Sequence, residues 1–293
     1  MFKMGNVLIL TANVTKRKVN RNMTIFITVW CIIKKGGLME KQNDRSIVID
    51  VNFDFTADSY NYWKNFWSNR DGLGCGSSDP DSKSKTLQLY HQFLWSKELP
   101  NGEKMQLETL KNQYGYYLKW KNFNFSSDSL INGYRWKRLK SLMQELESSI
   151  TNYKNFQEEY IRKAYTIGAM IIFPQRKWGI NQSRGCNPKI FDRVDLTIEC
   201  IRKFYNNEDS PLHQVLEQDS DFFKLFVDFK SFIDFFYLQD IVSEDYKSTH
   251  IFLGTGDFEE NPLPQTKDEW LIWHDKTIDF VEKRNERILH AIK

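Results

Sequence analysis

The pattern of apolar and polar positions changes character about halfway along the chain. In the first half, Ser46-Ile47-Val48-Ile49-Asp50-Val51 is β-rich and predicts a strand. Residues 58–67 are aromatic and predict a helix ending at Asn69-Arg70-Asp71-Gly72. The Gly/Ser/Asp stretch 72–84 is too long for a simple turn, and loops of that length are usually functional or mobile. Leu87, Tyr90 and Leu94, with Phe93, recur at helical spacing across 86–95. Ser84 or Thr86 can cap that helix, because a side-chain oxygen there satisfies an orphan N–H. A turn at Pro100-Asn101-Gly102 then leads to short strands at 105–110 and 116–120, broken at 112–115.

The second half is more helical. Amphipathic spacing predicts helices over 135–149 and 155–165, followed by a buried strand at 169–173 that Pro174 closes. Residues 175–188 form a polar loop leading into a helix over 189–205, with Pro188 near its first turn. The most apolar segment, 221–239, carries seven phenylalanines among its charged residues and predicts one central core helix rather than a membrane span. A loop at 254–264 precedes a last helix over 267–290. Strands early and helices late predict an α+β fold: a single, mostly helical domain with a small sheet and a central Phe-rich helix.

Composition narrows the setting. With 22 Phe and 9 Trp in 293 residues, the interior is expected to be large and rich in rings. No run of about 18 uncharged apolar residues occurs, so neither a membrane span nor a membrane partner is expected. Cys31, Cys75, Cys186 and Cys200 are scattered, with no C-x-x-C pair. They predict no zinc site and no disulfide framework, and with the ordinary globular composition they point to a cytoplasmic protein.

The net charge of +3 rests on the first 38 residues, which hold seven basic side chains and no acidic one. Without them 34 basic residues face 38 acidic ones. A signal peptide would explain the basic start and the apolar run 24–33, but Lys34-Lys35-Gly36-Gly37 stands where a small-residue cleavage site belongs. A basic nucleic-acid arm fits the apolar interruption poorly. Codons for Lys35-Gly36-Gly37 can contain a purine-rich ribosome-binding sequence, and Met39 follows. The expected domain is therefore 39–293, with 1–38 a mis-assigned start or a disordered leader. The charge argument for a nucleic-acid partner disappears with it.

Several blocks carry a resemblance. They are Tyr62-Trp63 with Phe66-Trp67, then Asp79-Pro80-Asp81-Ser82 ahead of Thr86-Leu87 and Tyr90-His91. Leu94-Trp95-Ser96-Lys97 with Leu99-Pro100-Asn101-Gly102 and Tyr165-Thr166-Ile167-Gly168 with Met170-Ile171-Ile172-Phe173-Pro174 follow. The longest runs from Ile180-Asn181-Gln182-Ser183-Arg184-Gly185-Cys186-Asn187 into Asp192-Arg193-Val194-Asp195-Leu196-Thr197. Over about residues 47–288 the chain resembles a family of bacterial proteins known as a domain of unknown function. That resemblance implies no activity, substrate, cofactor or catalytic residue.

Three constellations could carry chemistry. In the first, Asn181, Gln182, Arg184, Asn187, Asp192 and Arg193 gather amide, guanidinium and carboxylate groups beside Gly185, where backbone can approach a ligand. A helix start after Pro188 would add free N–H groups for a carboxylate or phosphate. Asp192, Asp195 and Glu199 would then share one helix face, suited to proton transfer or a divalent cation. The competing reading is an Arg–Asp lattice that only holds the fold. In the second, Asp79 and Asp81 with His91 form an acid/base pair or half a metal site; otherwise they are a turn, a helix cap and a hydrogen-bonded histidine. In the third, Asp221, Lys224, Asp228 and Ser231 line a polar stripe, facing solvent or a cavity.

Arg284 with His290 matches the loose R-x4-6-H pattern of HEPN-type ribonucleases, which arises readily by chance. No P-loop, dinucleotide fingerprint, H-E-x-x-H or G-x-S-x-G occurs. The expected function is therefore an enzyme or binding protein for a small anionic, nucleotide-like ligand. Arg184 and Arg193 would hold the anion, with Asn187, Gln182, Asp79 and Asp81 nearby, and Asp192, Asp195 or His91 would be catalytic. No metal ligand set is assigned. The alternatives are a non-catalytic interaction protein of a phage-defence or toxin-like system, using Tyr62, Trp63, Phe66 and Trp67 as its surface, and, third, a ribonuclease.

Overall fold

The computed structural model describes residues 48–68, 78–131 and 138–293, all within one compact unit. The expected leader, 1–38, and residues 72–77 of the 72–84 loop lie outside the described residues. Residues 46 and 47 also lie outside them. Residues 48–50 do not form the expected strand: Asp50 N–H donates to the Tyr90 hydroxyl (3.0 Å) and its carbonyl closes a turn onto Phe53 N–H, so its polar groups serve a turn instead of a ladder. Ile49 and Val51 are nevertheless buried.

The sheet has four antiparallel strands in the order β1 (Glu108–Asn112), β2 (Gly115–Trp120), β3 (Phe123–Ser129) and β4 (Met170–Pro174). β1 and β2 match the two expected short strands, with β1 shifted to 108–112, and pair as an antiparallel hairpin. Sequence alone misses β3, because Ser, Asn and Asp dilute its two phenylalanines. β3 pairs with the fully buried β4, Ser127 opposite Ile172 and Asp128 opposite Ile171. Successive side chains of β3 point to opposite faces. Ser127 thus meets His91, while Ser126 bonds Asn181 and Asp128 bonds Arg184.

Helices surround this sheet. α1 (Tyr62–Ser68) and the single turn α2 (Pro80–Lys83) lead to α3 (Lys85–Trp95). Ser84 caps α3 by accepting from Leu87 N–H (3.0 Å), and Asp58 accepts from both Thr86 N–H and the Ser84 hydroxyl. α4 (Lys140–Ser149) and α5 (Tyr153–Ala164) follow β3. The expected polar loop after β4 contains α6 (Ile180–Cys186), whose buried positions, Ile180 and Arg184, include only one apolar residue for periodicity to detect. α7 (Val194–Tyr205) starts five residues later than expected, and Pro188 opens no helix.

The Phe-rich segment is not one helix. α8 (His213–Gln218) and α9 (Ser220–Phe223) run into a 3-10 turn at Lys224–Phe226, and the chain then reverses at Val227 into α10 (Phe229–Phe235). Val227 has φ of 68°, unusual for a β-branched residue, and is 67% exposed. Asp228 caps α10 by accepting from Ser231 N–H (2.7 Å). The reversal folds the rings together: Phe226 lies 5.3 Å from Phe232 and 5.4 Å from Phe236. A straight helix would spread them around its circumference. The supposed stripe is therefore split, with Asp228 as a cap and Lys224 paired with Asp221 in solvent.

The 25-residue α11 (Lys267–Ala291) closes the core, burying Trp270, Trp273, Thr277, Phe280, Val281, Arg284 and Ile288 at helical spacing. Thr266 caps it through Glu269 N–H. Fold class is thus α+β, mostly helical, with a small antiparallel sheet and a large phenylalanine cluster. Among the described residues no helix is long and apolar enough to cross a membrane.

Candidate functional site

The stretch 181–199 divides into a closed half and an open half. In the closed half, Arg193 donates from Nε and Nη2 to the two carboxylate oxygens of Asp195, from Nη2 to Leu253 O (2.7 Å) and from Nη1 to Pro262 O (3.2 Å). Asp195 also accepts Phe252 N–H (2.8 Å). Both residues are buried. A charged pair removed from water is tolerable only when its remaining donors and lone pairs find partners, and here backbone groups of the 252–262 loop meet both residues. Arg193 and Asp195 therefore tie α7 to the 252–262 loop, and their expected ligand-binding and catalytic roles are corrected to a structural one.

The other expected members of this group disperse. Asp192 does not sit on α7. It precedes the helix at φ of 61°, so it shares no face with Asp195 and Glu199. Glu199 is held by Arg202 in a two-point ion pair. Asn187 bonds Lys189 N–H through Oδ1 and Pro211 O through Nδ2, which fixes a turn. Gln182 is exposed and accepts Trp178 N–H (3.0 Å). The anion site expected at a helix start beside Pro188 does not form, because Pro188 opens no helix and Arg193 stands at the N-cap of α7, five residues further on.

The open half centres on Arg184. Its guanidinium is fully buried and donates to Asp128, to the Thr197 hydroxyl (3.1 Å) and to the carbonyls of Ser129 (3.5 Å) and Leu130 (3.2 Å). Thr197 in turn donates to Arg193 O, joining the two halves. Asp128 differs from Asp195 in keeping 22% of its side chain exposed. Asp192 N–H donates to Arg184 O (2.9 Å), and its carboxylate lies against Gly185. A Cβ there would approach Asp192 Oδ2 to 2.9 Å, so glycine permits this proximity.

Asp79 and Asp81 join this group, which sequence separation hides. Asp79 caps α2 by accepting Asp81 N–H and also accepts the Tyr165 hydroxyl (3.2 Å). Gln88 donates to Asp81 O (2.8 Å) and fixes that turn. Among the described residues Asp81 Oδ1 has no hydrogen-bond partner although it is buried. Burial, with Asp79 and Asp128 nearby, holds the Asp81 carboxyl well above the usual range. Burial likewise pushes Asp128 up to about 7; Asp192 and Asp79 add to this, while Arg184 opposes it. Near neutral pH Asp128 can therefore hold and release a proton, and the same surroundings favour the protonated form of Asp81. Among the described residues no group of three or more His, Cys, Asp or Glu is arranged to hold a metal ion.

His91 does not join them. Trp95 Nε1–H donates to His91 Nδ1 (2.8 Å), so the proton sits on Nε2 and is donated to the Ser127 hydroxyl (2.9 Å). Burial, aided by Arg284, pushes the ring down to about 3 and keeps it neutral. Its catalytic role is corrected to a core link between α3 and β3. Arg284 is equally remote from chemistry: its donors end on Gly168 O, Met170 O and Phe236 O, and Asn285 bonds Gly168 N–H. His290 lies exposed six residues further along α11. Of the four aromatics of the alternative docking surface, Tyr62 is buried, while Trp63, Phe66 and Trp67 are half-buried, Trp63 and Phe66 packing against the core and Trp67 donating to Glu158 (3.0 Å).

Fold and site together define an α+β protein with a half-open carboxylate cluster over a buried arginine. The chain belongs to DUF6994, a family of unknown function, whose model matches residues 49–288. No curated protein and no solved structure matches it.

Proposed function

We propose that the chain is a cytoplasmic enzyme that binds a small, acceptor-rich ligand, anionic in the simplest case, at the Asp128 rim of the Arg184 cluster. The supporting observation is geometric: Asp128 is anchored to a buried guanidinium yet keeps part of its side chain in solvent, near Asp81, whose buried Oδ1 has no hydrogen-bond partner among the described residues. A protonated carboxyl is a hydrogen-bond donor, so Asp128 and Asp81 can receive an anionic oxygen that two carboxylates would repel. The same proton can then be transferred to the ligand, with Asp128 as general acid. Arg184 positions Asp128 and contributes its positive field without touching the ligand. The free thiols of Cys186 and Cys200 suit a reducing compartment.

The test is ligand-dependent thermal stabilisation of the purified full chain by phosphate, nucleoside monophosphates and dicarboxylates between pH 5 and 8. At least one is expected to raise Tm, more strongly below pH 7, with the effect lost in Asp128→Asn. Equal stabilisation in that variant, or none by any of these anions, would refute the assignment. Asp128 is the informative position, because removing Arg184 would unfold the segments it joins.

A further inference from the structure

The turn joining α4 to α5 lies beside the end of α1. Among the described residues, Trp67, Glu147, Tyr153 and Lys154 line an open cleft there of about 370 Å³, a size ordinary for small-molecule sites. None of the four belongs to the carboxylate cluster. Both rings are tied down at their polar ends. Trp67 Nε1–H donates to Glu158 (3.0 Å), and the Tyr153 hydroxyl donates to Met143 Sδ (3.7 Å). Phe66 packs against the indole at a steep angle, with centroids 5.1 Å apart. The rings therefore offer the cleft apolar surface in a fixed orientation, so little freedom is lost when a flat guest settles on them.

The charge around these rings is uneven. Lys154 Nζ stands 5.6 Å from the Trp67 ring centroid, so the position a cationic guest would take over that ring is already filled. Its ion pair with Glu158 is loose, at 3.9 Å, and 70% of its side chain is exposed. Glu158 is shared with Arg162 (3.8 Å) as well as with Trp67. Lys154 thus keeps a reachable and weakly compensated charge at the cleft. Tyr153 and Lys154 also open α5, where Asn152 makes no side-chain capping bond, so the positive end of that helix adds to the same side. Glu147, exposed on α4, repels an anion from its own side.

From this arrangement we infer that the cleft binds a small aromatic carboxylate. The guest's ring lies against Trp67 and Tyr153, and its carboxylate meets Lys154 and is held off Glu147. The site is separate from the Asp128 rim and involves no proton transfer.

Benzoate and indole-3-acetate are titrated into the purified full chain at low salt, with dissociation constants read from ligand-detected NMR. Both are expected to saturate at roughly 0.1–1 mM, and cyclohexanecarboxylate to bind about fivefold more weakly because it has no π face. Trp67→Leu should weaken benzoate about fivefold or more, and Lys154→Met about two- to fivefold, with a smaller loss of affinity on adding salt. Lys154 is exposed, so its variant keeps the fold even where Trp67→Leu does not. No saturation by about 5 mM, equal affinity for cyclohexanecarboxylate, or full affinity in Lys154→Met would overturn the inference.

Discussion

Arg193 and Arg184 belong to one polar stretch, yet the fold gives them opposite surroundings. Arg193 meets a carboxylate with no solvent exposure, and backbone groups take up the remaining capacity of both residues. Arg184 meets Asp128 at the edge of the structure, with Asp79, Asp81 and Asp192 close enough to disturb its ionisation. Identical residue types thus become a closed brace in one place and a proton-holding rim in the other. What separates them is whether the carboxylate partner is bonded on every side, rather than the arginine itself.

The closed half should break hardest. Arg193→Met leaves Asp195 buried beside a thioether and is expected to cost about 3–5 kcal/mol, measured as a lower urea midpoint. A cost below about 1 kcal/mol would mean that water reaches Asp195 and that the two halves do not differ as described.

A sealed site without a charge supplies the intermediate case. His91→Phe leaves Trp95 Nε1–H and the Ser127 hydroxyl short of a partner, for an expected loss of about 1–3 kcal/mol. Its folded-state pKa is depressed, so the unfolded chain takes up the proton first as pH falls. Wild-type stability should therefore carry a component that is full above about pH 6.5 and declines toward pH 3. His91→Phe should lack that component in urea melts at pH 7 and pH 4.5, and an unchanged slope would show that the ring can charge in place.

The open half should respond least in stability and most in pH dependence. Asp128→Asn is expected to cost about 1 kcal/mol or less at pH 7, since the carboxyl there is already about half protonated. Its folded-state pKa is raised, so the contribution is fully present below the unfolded pKa near 3.8 and is lost as pH rises through about 7. The variant should gain stability relative to wild type between pH 4 and 8. A constant difference across that range would make Asp128 another closed brace.

Local signals made much of the fold readable. The Ser84 cap, the spacing of Leu87, Tyr90 and Leu94, and the long amphipathic run of α11 each act within a few residues. β3 was hidden by its polar composition and α6 by having a single apolar anchor. The break at Val227 had one signal, Asp228 three residues before Ser231, which the density of phenylalanines outweighed. The candidate site is partly legible in the sequence: Arg184, Asp192, Asp79 and Asp81 stand there as two separate groups. Asp128, which joins them, lay in the strand that periodicity missed.

By itself, the sequence determined the family, the α+β class, the helix caps and the ring-rich interior, because these follow from composition and short-range spacing. Only the tertiary structure decided which polar groups are satisfied. Whether a guanidinium is a closed brace or the neighbour of a partly exposed acid depends on partners more than fifty residues away, on Asp195 accepting Phe252 N–H or Asp128 meeting Arg184. Long-range desolvation and hydrogen bonding set those outcomes, and neither leaves a periodic mark on the chain.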